Sequence, residues 1–229
     1  MKCWIREELD PGVNLAFEEA VLRKGVDGGA FWLWRDAPSV IVGRNQTPEV
    51  EVSRSVARVR GIRVYRRKTG GGAVFHDEGV VNFSFVVPFA DSVRELMETV
   101  RSALGVRGSV SERNDILCRG FKIVGTAQRL QGQWRLFHGS ILYDANLGVL
   151  ASVLTPDASK LARHGVASVA ARVANLKDLM HREVSTVDFM RDLFRRIVAA
   201  RGWTVSDPVR PCAALVPLRP CALGETDDV

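Results

Sequence analysis

A chain of 229 residues with 46% hydrophobic and 25% charged residues has an ordinary globular composition and the length of one large domain, or of one domain plus a small appendage. It contains no apolar run of the roughly 18 residues that would cross a bilayer, and its opening, MKCWIREELDPG, is charged throughout, which excludes a secretory signal. A formal charge of +6 points to an anionic partner without choosing among nucleotide, nucleic acid and acidic protein. The cysteines Cys3, Cys118, Cys212 and Cys221 lack zinc or disulfide spacing and read as reduced thiols of a cytoplasmic protein.

In chain order, NLAFEEAVLRK (14–24) predicts a helix with acids early and bases late, as the helix dipole favours. Strand-like runs follow: AFWLWRD, SVIVGR, IRVYRR and VVNFSFVV. SVRELMETVRSALG predicts a second helix, opened by a capping box from Ser92 to Glu95 and stopped at Gly105. DILC, FKIVGTAQ and WRLFHGSIL read as strands joined by tight turns at Arg119-Gly120 and around Gln131-Gly132. A weaker helix is expected over 157–164. The last, STVDFMRDLFRRIVAARG, runs from Ser185 to Gly202 and buries Val187, Met190, Leu193, Phe194, Ile197 and Val198.

Strands linked by short turns pair antiparallel, so the expected fold is α/β of the α+β type, a mixed and largely antiparallel sheet flanked by helices. One domain is expected over 1–207. The composition then shifts to a Pro-rich tail, 208–229, which repeats RPCA at 210–213 and 219–222 and reads as an irregular terminus.

Two stretches carry the chemistry. RRKTGGGAVFHD (66–77) sets a glycine triplet between cations and a short apolar strand, a place where backbone N–H groups can turn toward an anion. The P-loop and dinucleotide fingerprints are absent, so phosphate binding here needs another fold. In ERNDILCRGFKIVGTAQR (112–129) a hairpin would bring Asp115 and Lys122 toward one face. Taken alone, Lys122 reads as a solvated lysine, Asp115 as a turn aspartate and His76 as a satisfied structural histidine. The histidines show no metal-ligand spacing, so no protein metal site is expected.

Together RRKTGGGAVFHD, NFSF (82–85), RNDI (113–116), FKIVGTAQ with HGSIL (138–142) and KLARHGVASVAARVANL (160–176) resemble the lipoate–protein ligases, within the biotin and lipoate protein ligases. The resemblance implies ATP-dependent activation of lipoate to lipoyl-AMP, then transfer to a lysine of a carrier domain, of E2 or H type. It implies Lys122 as the cation between carboxylate and α-phosphate, and Asp115 as a group that orients the carrier lysine or helps remove its proton. Arg67, Gly71, Gly72, Ala73, Val74, Phe75 and His76 would hold the adenylate, with Gly70 and Gly71 allowing close approach. Val74 and Phe75 would also border the apolar slot for the lipoyl chain. Mg²⁺ would accompany ATP on its phosphate oxygens.

The sequence departs from the family's pattern at Val80, Val124 and Thr126. Many members carry a further C-terminal domain that assists adenylation, and this chain ends almost where it would begin. Either a separate accessory polypeptide supplies it, or the chain performs transfer alone. The nearest rival is an octanoyl or lipoyl transferase on the same fold, working through a cysteine thioester without ATP, for which Cys118 is the candidate. A further rival is a non-catalytic protein binding nucleic acid or an acyl ligand. Its charges are interleaved rather than blocked, so neither nucleic acid nor membrane is the expected partner.

Overall fold

A computed structural model describes residues 1–154, 172–209 and 215–223. Its main feature is an eight-stranded sheet in the order β11-β1-β2-β6-β10-β9-β8-β7. The strands are β1 (Lys2–Ile5), β2 (Ala30–Trp34), β6 (Val80–Pro88), β7 (Gly108–Val110), β8 (Ile116–Cys118), β9 (Phe121–Gln131), β10 (Trp134–Leu142) and β11 (Thr204–Val205). Pairings of β1 with β11 and β2 are parallel, and those from β2 through β7 are antiparallel. The expected mixed, largely antiparallel sheet flanked by helices is what forms.

Both predicted turns close hairpins. Arg119 and Gly120 take φ of 51° and 80° between β8 and β9, the positive-φ pair that suits the right-handed strand twist. Gly132 sits at φ 57° between β9 and β10.

Period-two alternation gives the sheet two chemically different faces. On one, Phe31, Leu33, Phe83 and Phe85 pack beneath α4 (Val93–Leu104) and the last helix, α7 (Thr186–Arg201). The capping box is made, Ser92 accepting from the amide of Glu95, and Gly105 and Gly202 end these helices in the left-handed region. On α7, Phe189 is buried and Val187 only half so, because the stripe that meets the sheet begins one turn later.

The other face carries Trp32 and Trp34 of β2 and Asn82 and Ser84 of β6, and α1 (Pro11–Lys24) lies against it through Phe17, Val21 and Leu22. Helix α1 starts one turn earlier than the apolar pattern predicts, because Asp10 caps the amide of Val13 and Pro11 opens the first turn.

A second, three-stranded sheet stands over this face in the order β4-β3-β5, from β3 (Ser39–Val42), β4 (Arg63–Arg66) and β5 (Val74–His76). Short helices α2 (Pro48–Glu51), α3 (Arg54–Val59) and α5 (Leu147–Val153) accompany it, and α6 (Leu176–Met180) follows later in the chain. Residues 215–223 run without regular structure along the outside of the small sheet. There Cys221 donates its amide to Val64 O, Leu218 donates to Gly12 O, and the Leu218 side chain packs against Leu15, Ile41, Tyr65 and Val74. The helix expected over 157–164 lies outside the described residues. No described helix is long and apolar enough to cross a membrane.

Candidate active site

Between the two sheets lies a cavity of about 150 Å³. The large sheet contributes Trp34, Asn82, Ser140 and Gly125, which are register partners across β2, β6, β10 and β9. The opposite wall comes from Leu15 of α1, Ile41 of β3 and the run Gly72–His76.

The predicted cation is here. Lys122 lines the cavity, its Nζ 3.0 Å from Asp115 Oδ1, and both side chains are only partly covered. Two features fix its course. Its amide donates to Arg172 O at 2.8 Å, which stitches the start of β9 to the returning chain at Val173. Its side chain then folds back over Gly125, where an added Cβ would stand 2.9 Å from Lys122 Cε and 3.1 Å from Nζ. A glycine is therefore what leaves room for the ammonium.

The glycine triplet divides by role. Gly71 holds φ 90°, and an added Cβ would lie 3.0 Å from Arg67 Nη2. Gly70 and Gly72 would meet nothing within 4 Å. Arg67 is buried beneath the loop and braces it. Its Nε donates to Thr69 Oγ1 (2.9 Å), its Nη1 to Ile41 O (3.0 Å), and its Nη2 to Gly70 O (2.6 Å) and Gly72 O (2.8 Å). Burial pulls the guanidinium down to about 10, still well above neutrality, so it remains a cation saturated by loop carbonyls. Arg67 therefore shapes the glycine loop from beneath.

Ala73, Val74 and His76 also border the cavity. Phe75 alternates away, its side chain packing into the cluster of Val40, Val42 and Ala57, so the expectation that it lines the acyl slot is corrected. Thr126 borders the cavity and donates to Asn114 O, while Val124 is buried in the helix-covered core.

Sequence reasoning missed the buried groups that tie the two walls together. Glu18 of α1 accepts from His138 Nδ1–H (2.9 Å) and from the Ser84 hydroxyl, while His138 Nε2 meets Thr69 Oγ1 at 2.8 Å. Asp36 accepts from His76 Nδ1–H (2.9 Å) and from Asn14 Nδ2 (2.9 Å), and His76 Nε2 meets Ser140 Oγ at 2.8 Å. These are two parallel chains of carboxylate, imidazole and hydroxyl. Burial pushes the Asp36 carboxyl up from its ordinary value, and its bonds to His76 and Asn14 pull it back. A usable signal was present. Asn14 and Glu18 stand four residues apart on the apolar side of α1, and Asn82 and Ser84 share one face of the otherwise apolar strand VVNFSFVV.

Residues 10–198 match the model of the lipoyl protein ligase A/B catalytic domain. The chain belongs to that family. Among solved structures, the bipartite lipoate protein ligase of Thermoplasma acidophilum, studied with its E2 lipoyl domain, is 29% identical over 90% of this chain and 86% of its own, at a TM-score of 0.74. Lipoate-protein ligase A bound with ATP is 27% identical, covering 90% of this chain and 87% of that one at 0.73. A Thermoplasma acidophilum protein solved with bound lipoic acid is also 27% identical, over 90% and 87%, at 0.71. The family segment KLARHGVASVAARVANL falls mostly outside the described residues. Its end is described: Asn175 exchanges two hydrogen bonds with the backbone of Ala145.

For this member of the lipoyl ligase A/B family, the cysteines bear on the choice between ligase and transferase chemistry. Among the described residues no cysteine lines the cavity. Cys118 is buried at the end of β8 in the helix-covered core, Cys3 lies in the same core, and burial pushes its thiol up to about 11, away from thiolate character. Cys221 packs on the small sheet, and Cys212 lies outside the described residues.

Proposed function

We propose that this chain is an ATP-dependent lipoate–protein ligase that forms lipoyl-AMP and passes the lipoyl group to a lysine of a carrier domain, working with a separate accessory polypeptide. The observation that carries this reading is the Lys122 ammonium beside a glycine loop at the mouth of a narrow, largely apolar cavity. The apolar lining of the cavity suits an acyl chain, and the adenylate would lie along the rim formed by Gly71 and Gly72.

In the first step a lipoate carboxylate oxygen bonds to the α-phosphorus of ATP, and the α–β bridging P–O bond breaks to release pyrophosphate. Two anions must meet, and uncompensated charge at contact distance costs several kcal/mol, roughly, at an effective dielectric constant near 20. Lys122 offsets that repulsion most as charge concentrates in the transition state. In the second step the carrier lysine attacks the acyl carbon and AMP departs. Asp115 orients that amine or takes its proton. Among the described residues no group of three or more His, Cys, Asp or Glu stands together to hold a metal. We expect Mg²⁺ to arrive on the phosphates of ATP.

Neighbouring structures named for ATP, for lipoic acid, and for a bipartite ligase with its E2 lipoyl domain support the cofactors and partners of this reading. The absence of a described cysteine from the cavity supports it over the thioester transferase. The test is lipoate-dependent exchange of pyrophosphate into ATP, with and without a candidate accessory protein. Exchange is the expected result. No exchange under either condition, together with transfer from octanoyl carrier protein that is lost in Cys118→Ser, would overturn it.

A further inference from the structure

Of the described residues that line the cavity, Asn82 alone has side-chain polar atoms that are buried and lack a hydrogen-bond partner. Both Oδ1 and Nδ2 are in this condition, and the residue is 1% exposed. A buried amide left unpaired is costly, so such a group needs an explanation. Its cross-strand neighbours turn to other partners. Trp34 Nε1 donates to Ser84 Oγ at 2.8 Å, and Ser140 Oγ is held at 2.8 Å from His76 Nε2. The amide is therefore open to an atom that enters the cavity.

We propose that Asn82 determines specificity by recognising a sulfur at the far end of the acyl chain, so that the cavity prefers lipoate to octanoate. This rests on the ligase reading above and names which acyl chain it takes. The geometry sets the distance. Asn82, Ser140 and Gly125 are successive register partners on β6, β10 and β9, and two interstrand steps span about 10 Å. Lys122 folds over Gly125 at one end of this row. A carboxylate held there directs a chain of a few carbons across the strands, bringing a terminal dithiolane ring to Asn82.

Leu15, Ile41 and Val74 face that end from the opposite wall, so any apolar chain is accommodated. Of lipoate and octanoate, only the sulfur-bearing chain also gives Nδ2–H an acceptor. Thioether-like sulfur is a soft, weak acceptor, and the indole of Trp34 beside it adds a favourable sulfur–aromatic contact. The terminal methyl of octanoate leaves the amide unpaired.

The test is calorimetric binding to the full chain without ATP, using lipoate, octanoate and 6-thiaoctanoate. The last has the octanoate length with one sulfur. Lipoate should bind about fivefold or more tighter than octanoate, with 6-thiaoctanoate between them. In Asn82→Leu that preference should fall to within about twofold, with octanoate bound at least as well, because the substitution removes the unpaired amide. Equal binding of octanoate and 6-thiaoctanoate by the unsubstituted protein overturns the proposal, as does a parallel loss of lipoate and octanoate in Asn82→Leu. Should Asn82→Leu not fold, the three-ligand series on the unsubstituted protein decides. Binding of none of the three would overturn the ligase reading itself, an outcome distinct from equal binding.

Discussion

In the buried depth of the cavity, carboxylates stand behind imidazoles, and imidazoles behind hydroxyls, with Glu18 and Asp36 almost wholly buried. At its rim, Gly71 and Gly72 are exposed, Gly72 faces open space, and Lys122 is anchored at its backbone while its tip lies over another glycine. One side is built like a protein core and the other like a mouth. The contrast teaches where each kind of damage should appear. Changes behind the sheet should cost stability, and changes at the rim should cost chemistry.

The largest effect should come at the rim. Lys122→Ala should lower lipoate-dependent pyrophosphate exchange by about 10³, yet change stability by about 1 kcal/mol or less, because its pair with Asp115 is partly exposed. Retained exchange would remove Lys122 from the reaction. Behind the sheet the order reverses. Glu18→Ala strips His138 and Ser84 of their acceptor and should cost about 3 kcal/mol in urea unfolding. A midpoint unchanged by that substitution would end the contrast between the two walls.

Gly125→Ala sharpens it further. The new methyl meets only the flexible end of Lys122, so stability should stay within about 0.5 kcal/mol. Displacing the ammonium should nevertheless cut exchange by about tenfold or more. Within the triplet, Gly71→Ala should destabilise by about 1–2 kcal/mol, since φ of 90° is hostile to any Cβ. Gly72→Ala has room and should leave the melting temperature alone. A raised KM for ATP in Gly72→Ala would mark the backbone there as a nucleotide contact, and an unchanged KM would not.

Much of this was legible in the chain itself. The long helices, both hairpins and the meeting of Asp115 with Lys122 follow from local patterns: a cap, a glycine stop, a two-residue turn. The unread parts depend on partners distant in sequence. Glu18 and His138 meet across 120 positions, and acids on a helix read locally as dipole partners or solvated charge. Strand β1 is four residues and β11 two, too short to show a period, and they form by adding in turn to β2 and β1. Phe75 follows the glycine loop directly in sequence, yet strand alternation sends its side chain into the core.

The packing of Leu218 onto Leu15, Ile41 and Val74 has a practical consequence. These three side chains form one wall of the cavity, so that wall is finished from outside by residues almost at the end of the chain. A protein trimmed to the family match at residue 198 would lose this outer cover. Its small sheet would then show bare leucine and isoleucine to solvent, inviting clumping during purification and a slacker grip on fatty ligands.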